Sequence, residues 1–101
     1  MRINIENKII DSVDFSKFET AWMIEDSLLV LEYLKNKNKI VLGGDILTVN
    51  LEHNYDNWYY NTTSIQDHKF NVECSIKLAT EYLSNYIQIN GNAFYVIFVL
   101  D

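Results

Sequence analysis

The chain contains no proline, three glycines (Gly43, Gly44 and Gly91) and one cysteine, Cys74. Without proline- or glycine-rich punctuation there is no evident linker, and 101 residues read as a single domain spanning 1–101. A lone cysteine excludes an internal disulfide and fits a reducing compartment such as the cytoplasm. No apolar run approaches the length of about 18 residues that a membrane helix needs, so no membrane partner is expected. The start, Met1-Arg2-Ile3-Asn4-Ile5-Glu6-Asn7, is too polar for a signal peptide.

Cationic side chains are scarce as well. Lys and Arg number 8 against 14 Asp and Glu, giving a net charge of −6 and a pI near 4.7. That balance speaks against nucleic-acid binding, which needs clustered Lys and Arg on phosphate. It favours a basic protein partner or simple solubility.

Enzyme signatures are missing too. There is no GxGxxG and no P-loop, and Gly43-Gly44 is too short to cradle a phosphate. Cys74 lacks a spaced partner cysteine and reads as an ordinary helix residue. His53 and His68 lie 15 residues apart in polar segments. With Asp56 they make a poor metal set, because zinc needs three or four ligands in defined geometry. No nucleophile elbow supports a serine-histidine-aspartate arrangement. The chain is therefore expected to be no enzyme and to use no metal or cofactor. Asn61-Thr62-Thr63 matches a glycosylation sequon, which marks only a surface loop here.

What is present is a pattern of helices and strands. Residues 1–15 carry mixed signals: Ile3 and Ile5 alternate as in a strand, while Ile9, Ile10 and Val13 fit a helical turn. The spacing predicts a helix over 16–37. Ser16-Lys17-Phe18-Glu19 has the capping-box arrangement, and Ala21, Ile24, Leu28, Leu31 and Leu34 form a stripe. Ile40-Val41-Leu42 and Asp45–Val49 read as a strand interrupted at Gly43-Gly44, by a bulge or by the close approach of another backbone. Residues 50–55 read as a polar connection, 57–60 as a second strand forming a hairpin with the first, and 61–70 as a loop. Val72, Ile76, Ala79, Leu83 and Tyr86 predict a helix over 71–89, stopped by Asn90-Gly91. The apolar run Phe94–Leu100 reads as a strand buried on both faces. The expected fold class is α+β. It is a small, mainly antiparallel sheet of three to four strands packed against two helices, in the order α-β-β-α-β.

Charge is unevenly placed. Between Lys39 and Lys69 there is no Lys or Arg, while Asp45, Glu52, Asp56 and Asp67 are acidic and Tyr55, Trp58, Tyr59 and Tyr60 aromatic. Acid interleaved with aromatics suits a surface aimed at a basic partner, since aromatics anchor with few rotors and carboxylates steer the encounter. The same residues also suit ordinary duties in a hairpin, as strand formers and solvated turns. Gly43 and Gly44 serve the backbone. Trp58 is either tucked beneath the helices or a free anchor, and Asp45 and Asp56 either bond hairpin amides or meet a partner. Tyr59 and Tyr60 point to opposite faces, so one belongs to the core and the other is available. A second acidic set, Asp11, Asp14, Glu19, Glu25, Asp26 and Glu32, surrounds the first predicted helix.

The block Ile40-Val41-Leu42-Gly43-Gly44-Asp45-Ile46-Leu47, followed by Tyr55-Asp56-Asn57-Trp58-Tyr59, resembles bacterial immunity proteins of polymorphic toxin systems, specifically immunity protein family forty. Ser75, Ala79, Tyr82 and Tyr86 stand where the family's later helix pattern falls, and the final apolar strand also fits. The likeness covers residues 22–100. It implies an α+β cytoplasmic protein that binds a cognate toxin and blocks it without catalysis. The toxin-binding candidates are then Asp45, Glu52, Asp56, Trp58, Tyr59 and Tyr60, with Gly43 and Gly44 as structural motif residues. The competing class is a small-molecule or peptide-binding module, its pocket lined by the Gly-Gly bulge and the aromatic hairpin. Self-association through the C-terminal strand is a further possibility.

Overall fold

A computed structural model describes residues 1–17, 19–62 and 67–101. The mixed signals of the first residues resolve into a hairpin of β1 (Arg2–Ile5) and β2 (Lys8–Asp11). Glu6 and Asn7 form its two-residue turn, both with positive φ (52° and 62°), which suits the twist of the flanking strands. Ile3 and Ile10 face each other across the hairpin, and both are buried in the main core. Arg2 pairs with Asp11 at 2.7 Å on the exposed side.

The helix expected over 16–37 is corrected. Its first half is β3 (Val13–Ser16) and β4 (Glu19–Met23), followed by a single 3-10 turn at Ile24–Asp26; only Ser27–Asn36 is helical, as α1. The reason lies in burial on two sides. Ala21 is enclosed on one face of the sheet and Trp22 on the other, so consecutive apolar residues imitate a wide helical stripe. Ser16 and Glu19 form no helix cap: Ser16 Oγ donates to Glu19 Oε1 at 3.2 Å, side chain to side chain across the β3–β4 turn. Asp26 meets Lys8 Nζ at 3.3 Å, while Glu25 is exposed.

The interrupted strand is one element, β5 (Val41–Thr48), with a register shift against its neighbour between Val41 and Gly43. Its partner β6 (His53–Tyr59) starts within the predicted connection. As an outer strand it needs hydrogen bonds on one side only, so polar residues are tolerated along it. Helix α2 (His68–Asn90) likewise starts inside the predicted loop. The Asp67 side chain caps it by accepting from the Phe70 amide at 2.7 Å, and Gly91 (φ 86°) ends it. Residues 63–66 of that loop, and with them Thr63 of the sequon, lie outside the described residues.

Strand β7 (Phe94–Leu100) runs through the middle of a five-stranded antiparallel sheet of order β3-β4-β7-β5-β6. The described residues form an α+β structure with two helices, as expected, but with seven strands in sheets of two and five rather than three to four in one. The order is β-β-β-β-α-β-β-α-β. The apolar run is enclosed at Val96 and Ile97, but Val99 and Leu100 at its end are exposed.

Both helices cover one face. There Val30, Leu31 and Leu34 of α1 and Val72, Ile76, Ala79, Leu83 and Tyr86 of α2 meet Trp22, Val41, Ile46, Trp58 and Val96. Every member of the predicted α2 stripe is buried. On the helix-free face a smaller cluster of Ala21, Leu47 and Ile97 is covered by Phe15, Leu51 and Tyr95.

Candidate functional site

The β5–β6 hairpin carries the residues singled out from sequence, and its register sorts them. Gly43 faces Tyr59, Gly44 faces Trp58, and Asp45 faces Asn57. Successive strand residues alternate sides, so Gly44 and Trp58 share the helix side while Gly43, Asp45, Asn57 and Tyr59 share the helix-free side.

On the helix side the indole of Trp58 lies across Gly44, where a Cβ would run into its ring. The ring stacks on Tyr82 at 4.9 Å and meets Phe98 edge-on. Trp58 is thus a core residue, and its Nε1 is buried without a hydrogen-bond partner among the described residues. Gly43 has a different constraint, because a Cβ there would strike the Trp58 carbonyl oxygen. Both expected uses of the glycines, bulge and close backbone approach, are present. Tyr60 also turns inward: its hydroxyl donates to Asn71 Oδ1 at 2.7 Å, and burial followed by Cys74 pushes its pKa up.

Asp56 is exposed but occupied. It accepts from the Tyr86 hydroxyl at 2.8 Å and from Asn54 Nδ2 at 3.2 Å, and Asn54 Nδ2 also donates to the Tyr86 oxygen at 2.7 Å. Burial, then the bond to Asp56, pushes the Tyr86 hydroxyl up to about 12. This network fastens the outer strand to α2. No backbone hydrogen bond to the Asp45 or Asp56 side chain forms among the described residues.

The helix-free side is different. Tyr59 is 72% exposed, and Asp45 is half-buried with no side-chain hydrogen bond or ion pair to any described residue. Glu52 is exposed in the turn between the strands. Of the six candidates, Asp45, Glu52 and Tyr59 therefore face outward, away from the helices or at the turn, while Asp56, Trp58 and Tyr60 engage α2 or the core. The six candidates did not include Tyr55, Asn57 or Val99, although Tyr55 and Asn57 stood in the stretch and motif quoted from the sequence. Tyr55 is 89% exposed with φ 59°, at a point where β6 slips register against β5. No sequence signal marks such a bulge. The exposure of Val99 was hidden inside an apolar run.

Charge is segregated in space. The five strands of the large sheet contain Asp14, Glu19, Asp45 and Asp56 but not one Lys or Arg. All eight cations lie elsewhere: Arg2 and Lys8 in the N-terminal hairpin, Lys17 in the β3–β4 turn, Lys35, Lys37 and Lys39 on and after α1, and Lys69 and Lys77 on α2. Such a surface can take up cationic side chains, through carboxylates and through the faces of tyrosine rings.

The histidines are not brought together. The ring of His53 sits between those of Phe15 and Tyr55, and His68 Nε2 lies 2.7 Å from the Asn38 carbonyl oxygen. No group of three or more His, Cys, Asp or Glu among the described residues is arranged to hold a metal. A cavity of about 90 Å³ opens beside Trp22, Val30, Tyr33, Leu34, Phe98 and Leu100, and none of the glycine or hairpin residues lines it. No described helix is long and apolar enough to cross a membrane.

Fold and charge distribution together define a small α+β protein whose five-stranded sheet carries no Lys or Arg in its strands. The model of the immunity protein 40 family matches residues 10–100, from the end of the N-terminal hairpin to the last strand. The chain belongs to that family. No curated protein and no solved structure gave a match.

Proposed function

We propose that the protein is an antitoxin that binds a cognate bacterial polymorphic toxin in the cytoplasm and neutralises it without catalysis. Its acidic, aromatic surface blocks a basic site on the toxin. Family membership supports the immunity role. The observation that carries the surface mechanism is the absence of any cation from five adjoining strands that bear four carboxylates. A cleft built to hold phosphate is cationic, and a cation-free surface laid over it competes for the same charges. No cofactor, metal or nucleic acid enters this reading.

The test is co-expression in a bacterial host. The toxin domain encoded beside this gene is expressed with and without the protein, and the complex is recovered across a salt series. Restored growth together with a complex that weakens as salt rises is the expected result, because exposed charges are screened beyond roughly 8–10 Å at physiological ionic strength. Growth that is never restored removes the antitoxin reading and moves a small-ligand or peptide module to first place. Rescue with a salt-insensitive complex keeps the antitoxin and removes the electrostatic mechanism.

A further inference from the structure

Resting on the antitoxin reading, we propose that the toxin docks on the helix-free face of β5, β6 and β7 and seats an arginine or lysine side chain on Asp45. Two cross-strand rows define the spot. One runs Tyr59–Gly43–Val99 and the next Asn57–Asp45–Ile97. Directly opposed residues stand about 5 Å apart, so the six positions form one compact patch. Gly43 contributes no side chain and lies close against the β6 backbone, between Tyr59, 72% exposed, and Val99, 44% exposed. Ile97 is buried beside it as an apolar floor. Asp45, in the adjoining row, is half withdrawn from water and has no donor among the described residues. A carboxylate in that position gains most from a cation that arrives with a partner. The exposed ring of Tyr59 offers the same cation its face, and Asn57 offers an amide.

The helix side offers no comparable arrangement. Asp56 is already engaged by Tyr86 and Asn54. The exposed surface of α2 alternates Lys69, Glu73, Lys77 and Glu81, so it favours neither sign of charge. Strand addition at the outer edge is opposed as well. The bulge at Tyr55 and the register slip beside it make β6 an irregular template for a further strand. The contact is therefore made by side chains over the sheet face.

Two probes test this: the toxin domain encoded beside the gene, and a nona-arginine peptide. The variants are Asp45→Asn, Tyr59→Ala and, on α2, Glu73→Gln and Glu81→Gln, with thermal melts to confirm that each folds. If the toxin binds the wild type, Asp45→Asn and Tyr59→Ala are each expected to weaken the complex about tenfold or more, and the α2 variants to leave it unchanged. Binding that is indifferent to Asp45→Asn and Tyr59→Ala, or lost on the α2 changes, overturns this docking face while leaving the antitoxin reading intact. If the toxin does not bind the wild type, the antitoxin reading fails and the peptide decides the cation site alone. Amide shift changes at Gly43, Asp45, Asn57 and Tyr59 that vanish in Asp45→Asn support it. Shift changes that fall elsewhere, or persist in Asp45→Asn, overturn it.

Discussion

The rings of Phe15 and His53 meet edge to face at 5.4 Å, although they belong to β3 and β6, the two outermost strands of a five-stranded sheet. Only a strongly curled sheet brings its edges that close. The curl is directed toward the helix-free face, where Phe15 covers the cluster of Ala21, Leu47 and Ile97. One part of that face is thereby sealed into a second small core. The part beside Tyr59 and Val99 is left exposed.

Phe15→Ala is expected to remove the contact between the edges and uncover the second cluster. Phe15 is half-buried, so the cost falls below that of a fully enclosed phenylalanine, at about 2 kcal/mol. Urea unfolding measures the loss, and amide shift changes should concentrate at Leu47, His53 and Ile97. A variant as stable as the parent, with His53 unperturbed, would show that the edges are held by something else.

The two glycines differ in what excludes a side chain, and their alanine variants should differ accordingly. At Gly44 the nearest obstacle is the Trp58 indole, which can be displaced from Tyr82, with the Ile97 carbonyl oxygen also close. Gly44→Ala should cost about 1–3 kcal/mol, the range for overpacking, and shift the tryptophan fluorescence. At Gly43 the obstacle is the Trp58 carbonyl, which moves only if the strands separate. Gly43→Ala should therefore be the more damaging change by thermal melting. Because Trp58 Nε1 has no partner among the described residues, Trp58→Phe should be far milder than Trp58→Ala.

How much of this was legible in the sequence followed from how many sides of each element are covered. Helix α2 has one buried face, so Val72, Ile76, Ala79, Leu83 and Tyr86 wrote its period plainly. Strand β4 is enclosed on both sides at Ala21 and Trp22, so these and Ile24 in the following turn imitated a helix. The first hairpin turns on Glu6-Asn7, a pair without glycine, and gave little turn signal. At the site, the gap in Lys and Arg from 40 to 68 was visible, as was the opposite facing of Tyr59 and Tyr60. Which of the two faces outward depends on register, and register is set by the indole of Trp58 folding over Gly44. Asp45 and Asp56 are parted by the same register, and Asp56 is then engaged by Tyr86, thirty residues away in the chain.

Ser75 joins α2 to the sheet at a point where a backbone group has no other outlet. Its Oγ accepts from the Val41 amide at 3.0 Å and donates to the Val72 carbonyl at 3.0 Å, and both Ser75 and Val41 are fully buried. Ser75→Ala leaves that amide unpaired and should cost about 1–3 kcal/mol. Hydrogen exchange at Val41 should quicken more than at Ile46 on the same strand. Unchanged protection at Val41 would mean that the amide finds another acceptor.

Alkaline pH should loosen the attachment of β6 to α2 before it affects the rest of the sheet. The Tyr86 hydroxyl is pushed up to about 12 by burial and by its bond to Asp56, against about 10 in an unfolded chain. Below about pH 10 the phenol is protonated in both states, and its contribution to stability is complete. Between about 10 and 12 the unfolded chain releases the proton while the folded one retains it, so stability falls as pH rises, and above that range the contribution is gone. Tyr82, raised by burial and by Asp56, and Tyr60, raised by burial and by Cys74, act in the same direction. Tyr86→Phe loses the hydroxyl that bonds Asn54 and Asp56 and should be about 1 kcal/mol less stable at neutral pH. Its stability should then decline less steeply than that of the wild type above pH 10. Urea unfolding of both proteins across that range tests the assignment, and parallel declines would place the sensitive proton on Tyr82 or Tyr60 instead.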